Sequence, residues 1–188
     1  MPPKYKFTRE QIRDAALELV RAGGIDALTA RGLGERLGAS SKVIFGLFEN
    51  MEELRTAVLE ASYARYASYL AEEAAQKRYP PYKASGMAYI RFARQERELF
   101  KLLFMQDRTG KDQSPTAEFE EILGLITESM GLSRERAELF HLEMWAMVHG
   151  VAVMAATSYL AMEEDLISRM LTDVYQGLRL RYQKEEAK

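Results

Sequence analysis

Apolar residues recur at spacings of three and four along almost the whole chain, while the period-two alternation and turn dipeptides of half-buried strands are missing. The pattern predicts an all-α fold of about nine helices. The first helix is expected over residues 8–22. There Ile12, Ala15, Ala16, Leu19 and Val20 form one stripe, Thr8 and Gln11 make a capping box, and Gly23-Gly24 ends the run. Two short helices come next, over 29–37 and about 41–47, separated by Gly38-Ala39-Ser40. Asn50, with Glu53 three residues on to close a second box, caps a long helix of about 51–78. Its inner stripe is Leu54, Ala57, Val58 and Ala61, and Pro80-Pro81 marks its latest end.

Beyond the prolines the pattern predicts helices near 82–95 and 96–106 and a polar loop over 107–113. Ser114-Pro115 then opens a helix carrying Phe119, Ile122, Leu123 and Ile126. Ser133 caps the next helix, expected to reach about residue 162. One side bears Ala137, Phe140, Met144, Val148 and Val151, and beside it run Trp145, His149, Ala152 and Ala156. Such a helix needs cover on two sides, from its own core and from a second subunit. The last helix, about 164–183, presents Ile167, Met170, Leu171, Val174 and Leu178 before a charged tail at 184–188. Residues 144–162 are 19 in a row without a formal charge, near the roughly 20 of a membrane span. His149, Gly150, Thr157, Ser158 and five alanines keep the stretch modestly hydrophobic, and Glu143 and Glu163 flank it. It reads as a buried helix of a soluble protein, with no membrane partner.

The most specific signal lies between Leu28 and Phe45. Gly34 stands four residues before Gly38, so a small residue of the first short helix faces the tight turn, and Leu33, Leu37 and Ile44 can pack the pair onto the first helix. That is the spacing of a helix-turn-helix. Its second helix is short and polar at the start, Ser40-Ser41-Lys42, which suits a major groove about 12 Å wide.

Residues 8–60 resemble the N-terminal DNA-binding domain of the TetR family of bacterial transcriptional regulators. Gly24 ends the first helix, Thr29 leads the second, Gly38-Ala39-Ser40 is the Gly-x-Ser turn, and Phe45-Gly46-Leu47-Phe48 supplies the aromatic-x-x-Phe end of the recognition helix. A long helix from Met51 then joins head to body. Further along, the similarity is one of helix order and of Trp145-x-x-x-His149-Gly150, a pattern of some family branches. The resemblance implies a helix-turn-helix head over 1–50, a helical ligand-binding and dimerisation body over 51–188, and double-stranded DNA as a partner. Thr29, Arg31, Ser40, Ser41, Lys42 and Phe45 are then the DNA-facing residues, with Thr29 and Ser40 doubling as caps and Phe48 as core support.

Three positions depart from the family pattern. Val43 and Phe45 stand where Thr and Tyr are usual, and Met51 stands where a Lys usually opens the long helix. Three phosphate donors are thereby lost. Lys42, at a position often held by Gly, returns one cation, and Arg9, Arg31, Lys4 and Lys6 can supply others.

Charge and composition narrow the classes. The 188 residues hold 26 Lys+Arg against 28 Asp+Glu. Residues 1–50 carry eight basic and six acidic side chains, a net +2 that leaves −4 for the rest. The head is basic relative to the body, but only mildly, and the loss of about three backbone contacts is expected to flatten the salt dependence and weaken affinity for any DNA. With no Cys there is neither disulfide nor thiolate site, and the N-terminal residues lack the apolar stretch of a secretory signal, which together point to the cytoplasm. The two histidines belong to no His-Glu-x-x-His motif, neither a Walker-type loop nor Gly-x-Ser-x-Gly occurs, and Glu138-x-x-His141 is a single copy. An enzyme is not expected, nor a metal or cofactor.

For the body, the resemblance implies a small apolar or amphipathic ligand. Candidate lining residues are Tyr89, Phe92, Phe100, Phe104, Met144, Trp145, Val148, His149 and Ala152, with Tyr89 and His149 as polar handles. The same stripe also reads as plain core. The helices at about 134–162 and 164–183 are the expected homodimer interface, which sets two recognition helices one DNA turn apart, about 34 Å, over a palindromic operator. The expected function is a ligand-responsive regulator, a repressor released by its ligand. The alternative is a helical dimer that binds a ligand or protein and has weakened DNA affinity.

Overall fold

A computed structural model describes residues 7–107, 109–110 and 117–186. Lys4, Lys6, the Ser114-Pro115 helix start and most of the loop over 107–113 lie outside the described residues. Within them are eight α-helices, two 3-10 helices and no strand. They divide into two compact units. The first runs from the N-terminal side to Ser68 and includes Gln95–Gln106, and the second comprises Tyr69–Arg94 and the residues from Asp107 onward.

The first unit begins with α1 (Arg9–Gly23). Both halves of its capping box form: Thr8 Oγ1 accepts from the Gln11 amide at 3.2 Å, and the Gln11 side chain accepts from the Thr8 amide at 2.9 Å. Ile12, Ala16 and Val20, on the predicted stripe, are fully buried. A 3-10 turn, Ile25–Ala27, which periodicity does not foretell, leads to α2 (Ala30–Leu37), capped by Thr29 through the Gly32 amide at 3.0 Å. Leu28, Leu33, Ile44, Phe48, Leu54 and Val58 complete the buried apolar set around these elements. Each such side chain contributes roughly 1.5–3 kcal/mol when fully removed from water.

The long helix α3 (Met51–Gln76) comes next, and α5 (Arg97–Phe104) returns the chain to the first unit after α4 (Pro81–Gln95) has passed through the second. Between α4 and α5 sits Glu96, only 4% exposed. Its carboxylate accepts from Arg21 of α1 at 2.7 and 2.8 Å and from Arg65 of α3 at 3.1 and 3.0 Å. A carboxylate this deep is tolerable only because two guanidinium groups meet it.

The second unit contains α4, α6 (Ala117–Met130), α7 (Arg134–Ala156) and α8 (Glu164–Glu186). Its core joins Leu123, Ile126, Leu132, Ala137, Phe140, Met144 and Tyr182. Gly86 of α4 permits a close approach, since a Cβ there would lie 3.2 Å from Leu171 and 3.5 Å from Val148. The cap at Ser133 forms, its hydroxyl accepting from the Arg136 amide at 3.4 Å.

Two boundaries differ from the expectation. α7 ends at Ala156 rather than 162, because Ser158 turns into the left-handed region at φ +57° and the Tyr159 amide then reaches back to the Met154 carbonyl at 3.0 Å. Tyr159 beyond it is 82% exposed. α8 continues to Glu186, so part of the expected tail is helical. On α7 the stripe Ala137, Phe140, Met144, Val148 and Val151 is buried, as are Ala152 and Ala156, whereas Trp145, Leu139 and Leu142 are exposed. Among the described residues α7 is the one helix long and apolar enough to cross a membrane.

Candidate nucleic-acid interface

The turn between the two short helices is set by two glycines with different jobs. Gly38 adopts φ +59°, a left-handed conformation that costs a side-chain-bearing residue roughly 1 kcal/mol or more. Gly34 is needed for space. A Cβ on it would come within 3.0 Å of the Ala39 carbonyl oxygen and 3.2 Å of the Ser41 nitrogen, both backbone atoms that cannot step aside.

After the turn the chain winds as a 3-10 helix, Ser41–Gly46, rather than as a turn of α-helix. The Val43 amide donates to the Ser40 carbonyl and the Leu47 amide to the Ile44 carbonyl, each at 3.0 Å. Two adjacent β-branched residues, Val43 and Ile44, and a C-terminal Gly46 give the segment little α propensity, which removes the usual penalty for the tighter winding. Three residues per turn place Lys42 and Phe45 on one edge and Ser41 and Ile44 on another. The burial agrees: Ile44 is fully buried, Ser41 is half-buried against the turn, Lys42 is exposed, and Phe45 is 48% exposed.

The remaining predicted DNA-facing residues are local to this edge or to the start of α2. Ser40 is exposed, and its hydroxyl accepts from the Lys42 amide at 3.4 Å, so it caps the segment. Thr29 is exposed while capping α2. Arg31, with a side chain 90% exposed, pairs loosely with Glu35 one turn on at 2.9 Å. Arg9 is committed elsewhere: its guanidinium donates to the Leu47 carbonyl and to Glu53, both at 2.7 Å, and lies 4.0 Å from the centroid of the buried Phe48 ring. Glu53 likewise departs from the expected box. Asn50 Oδ1 accepts from the Glu53 amide at 2.9 Å as anticipated, yet the Glu53 carboxylate reaches the Glu49 amide at 2.6 Å.

Of the candidate ligand residues, Phe100 and Phe104 belong to the first unit, where their rings lie 5.4 Å apart and Phe104 packs edge-on against Tyr66. The others belong to the second unit. Phe92 is fully buried and edge-on to Tyr69, Met144 joins the core around Phe140, Val148 flanks Gly86, and Ala152 is buried. Three come together as a group: the Tyr89 hydroxyl is 2.9 Å from His149 Nδ1, and Trp145 stacks on the His149 ring at 4.7 Å. A parallel pair, which sequence reasoning does not single out, joins Tyr82 to His141 Nδ1 at 3.1 Å. The seven- and eight-residue spacings of the tyrosines and histidines, both near two helical turns, are the available signal. Burial pushes both phenols above the usual tyrosine range and holds both imidazoles below the ordinary 6.5. Among the described residues no group of three or more His, Cys, Asp or Glu could hold a metal.

Comparison with known proteins agrees with this geometry. Residues 12–58 match the bacterial regulatory proteins of the tetR family, and residues 82–174 match the tetracyclin repressor-like C-terminal domain. The chain belongs to the TetR family. Tetracycline repressor protein class D of Escherichia coli and class H of Photobacterium damsela subsp. piscicida are each 29% identical over 105 residues, or 56% of this chain and 43% of each relative. This TetR family chain thus aligns with less than half the length of those curated relatives. A solved structure of a TetR family member from Streptomyces coelicolor A3 is similar at a TM-score of 0.60 with 18% identity, covering 88% of this chain and 96% of that one. At that identity the likeness speaks for the fold, an all-α head and body.

Proposed function

We propose that this chain is a ligand-responsive transcriptional regulator of the cytoplasm, a repressor that binds a palindromic operator as a homodimer. A small apolar or amphipathic molecule bound in the second unit releases it. The observation that carries the reading is the 3-10 segment after Gly38, whose outward edge presents Lys42 and Phe45 above a buried Ile44. Two relatives named as tetracycline repressors support the repressor role. The dimer reading draws on Leu139, Leu142 and Trp145 of α7 and Leu180 of α8, large apolar side chains that the chain itself leaves exposed. The proposed domains are the head over 1–50 and the body over 51–188.

A fluorescence titration with the DNA flanking the chain's own gene, at two salt concentrations, tests the reading. A preference over unrelated DNA is expected, and Lys42→Ala should weaken binding to all DNA and reduce the salt slope by about one. Val43, Phe45 and Met51 carry no side-chain donor for phosphate, and the Phe45 side chain can offer DNA only an apolar contact such as a thymine methyl. Should no sequence preference exist even at low salt, a helical dimer serving a ligand or protein partner becomes the better account.

A further inference from the structure

We propose that Arg9 is a positioning residue that pins the C-terminal end of the recognition segment, and that it makes no contact with the DNA backbone. The part of this inference that concerns DNA rests on the function proposed above. The 3-10 segment is poorly able to hold itself. It is only six residues long, and at its end the Leu47 and Phe48 amides both turn to one acceptor, the Ile44 carbonyl, at 3.0 and 2.9 Å. The N-terminal end is fixed by the close approach of Ala39 and Ser41 to Gly34. The C-terminal end has Arg9.

Three contacts fix the plane of that guanidinium. One Nη donates to the Leu47 carbonyl at 2.7 Å, which satisfies an acceptor at the negative end of a short helix. The other donates to Glu53 Oε1 at 2.7 Å, while Glu53 Oε2 accepts from the Glu49 amide at 2.6 Å. The face of the group lies over Phe48, which is itself in the core. Arg9 opens α1, Leu47 closes the recognition segment, and Glu53 stands in the first turn of α3, so one side chain joins three elements of the head. The Arg9 side chain is 44% exposed and keeps N–H groups beyond these bonds, but swinging it out toward a phosphate would break its pair with Glu53 and leave a carbonyl without that partner. Lysine cannot substitute, because a point charge lacks the planar fork that serves carbonyl, carboxylate and ring together.

The test uses the full chain with Arg9→Gln, Arg9→Lys and Glu53→Gln, reading amide hydrogen exchange over residues 43–48 and the affinity and salt slope for the gene-flanking DNA. Exchange at Leu47 and Phe48 should rise about tenfold in Arg9→Gln, as for loss of a charge-assisted bond. Glu53→Gln should raise it in the same direction, a check from the other side of the pair. DNA affinity should fall in Arg9→Gln and Arg9→Lys alike with the slope unchanged, whereas Lys42→Ala lowers the slope. A slope reduced by about one in Arg9→Gln, or wild-type affinity in Arg9→Lys, overturns the pin in favour of a phosphate contact. Unchanged exchange in Arg9→Gln overturns it whatever the DNA data show. If exchange rises while wild-type protein shows no DNA preference, the pin stands and the regulator reading falls.

Discussion

The charged ties of the first unit and the α4–α7 seam of the second use different polar chemistry. Arg9 with Glu53, and Arg21 and Arg65 with Glu96, join elements through guanidinium and carboxylate. The seam uses two phenol–imidazole pairs, Tyr82 with His141 and Tyr89 with His149, which together take both histidines of the chain. Imidazole is the side chain whose ordinary charge change falls between pH 5 and 8. The seam should therefore carry a pH sensitivity.

The largest way to break this contrast is at Glu96. Glu96→Ala leaves two guanidinium groups without their shared partner and should cost about 2–3 kcal/mol in denaturant unfolding, below the full penalty for a buried charge because both arginines reach solvent. A loss under about 1 kcal/mol would show that the node is not a structural tie. Next is Tyr89→Phe, which removes one seam bond and should cost about 1 kcal/mol at pH 8. A pH dependence comes third. Burial lowers both histidine pKa values from 6.5, so the unfolded chain binds protons that the folded chain refuses. The corresponding stability is fully present above the unfolded value and is lost as pH falls through 6.5 toward the lower folded values. Unfolding midpoints measured from pH 8 to pH 5 should fall most steeply in that interval in wild type, and less so in His149→Gln. The smallest effect belongs to Arg31→Ala. Its pair with Glu35 is solvent-exposed on both sides, so the midpoint should not move measurably, and a clear shift would mean that exposure is a poor guide to which pairs matter here.

The features legible in the sequence are those whose cause is local. Thr8 and Gln11 close their box, Thr29 and Ser133 cap as expected, and Gly34 and Gly38 stand where crowding and a positive φ require them. The stripes on α1 and α7 are equally visible because burial follows a 3.6-residue repeat. Other features depend on residues far apart. Nothing in the spacing around Glu96 distinguishes it from a solvated charge until arginines 75 and 31 residues away converge on it. Arg9 reads as a free cation along the chain because its partner Glu53 is 44 positions on. The early end of α7 hangs on Ser158 taking a conformation that serine seldom adopts, and the Glu53 carboxylate closes on Glu49, one residue upstream of its expected partner Asn50.

The tighter winding of Ser41–Gly46 has an architectural consequence. At about 2.0 Å per residue against about 1.5 Å for an α-turn, six residues reach about 12 Å instead of about 9 Å. Over three residues, 120° steps bring Phe45 directly above Lys42, whereas 100° steps would swing it about 60° aside. Rewound as an α-helix, the same letters would make a shorter, blunter segment with the exposed side chains of Lys42 and Phe45 splayed, so the character of this exposed edge belongs to its pitch as much as to its residues.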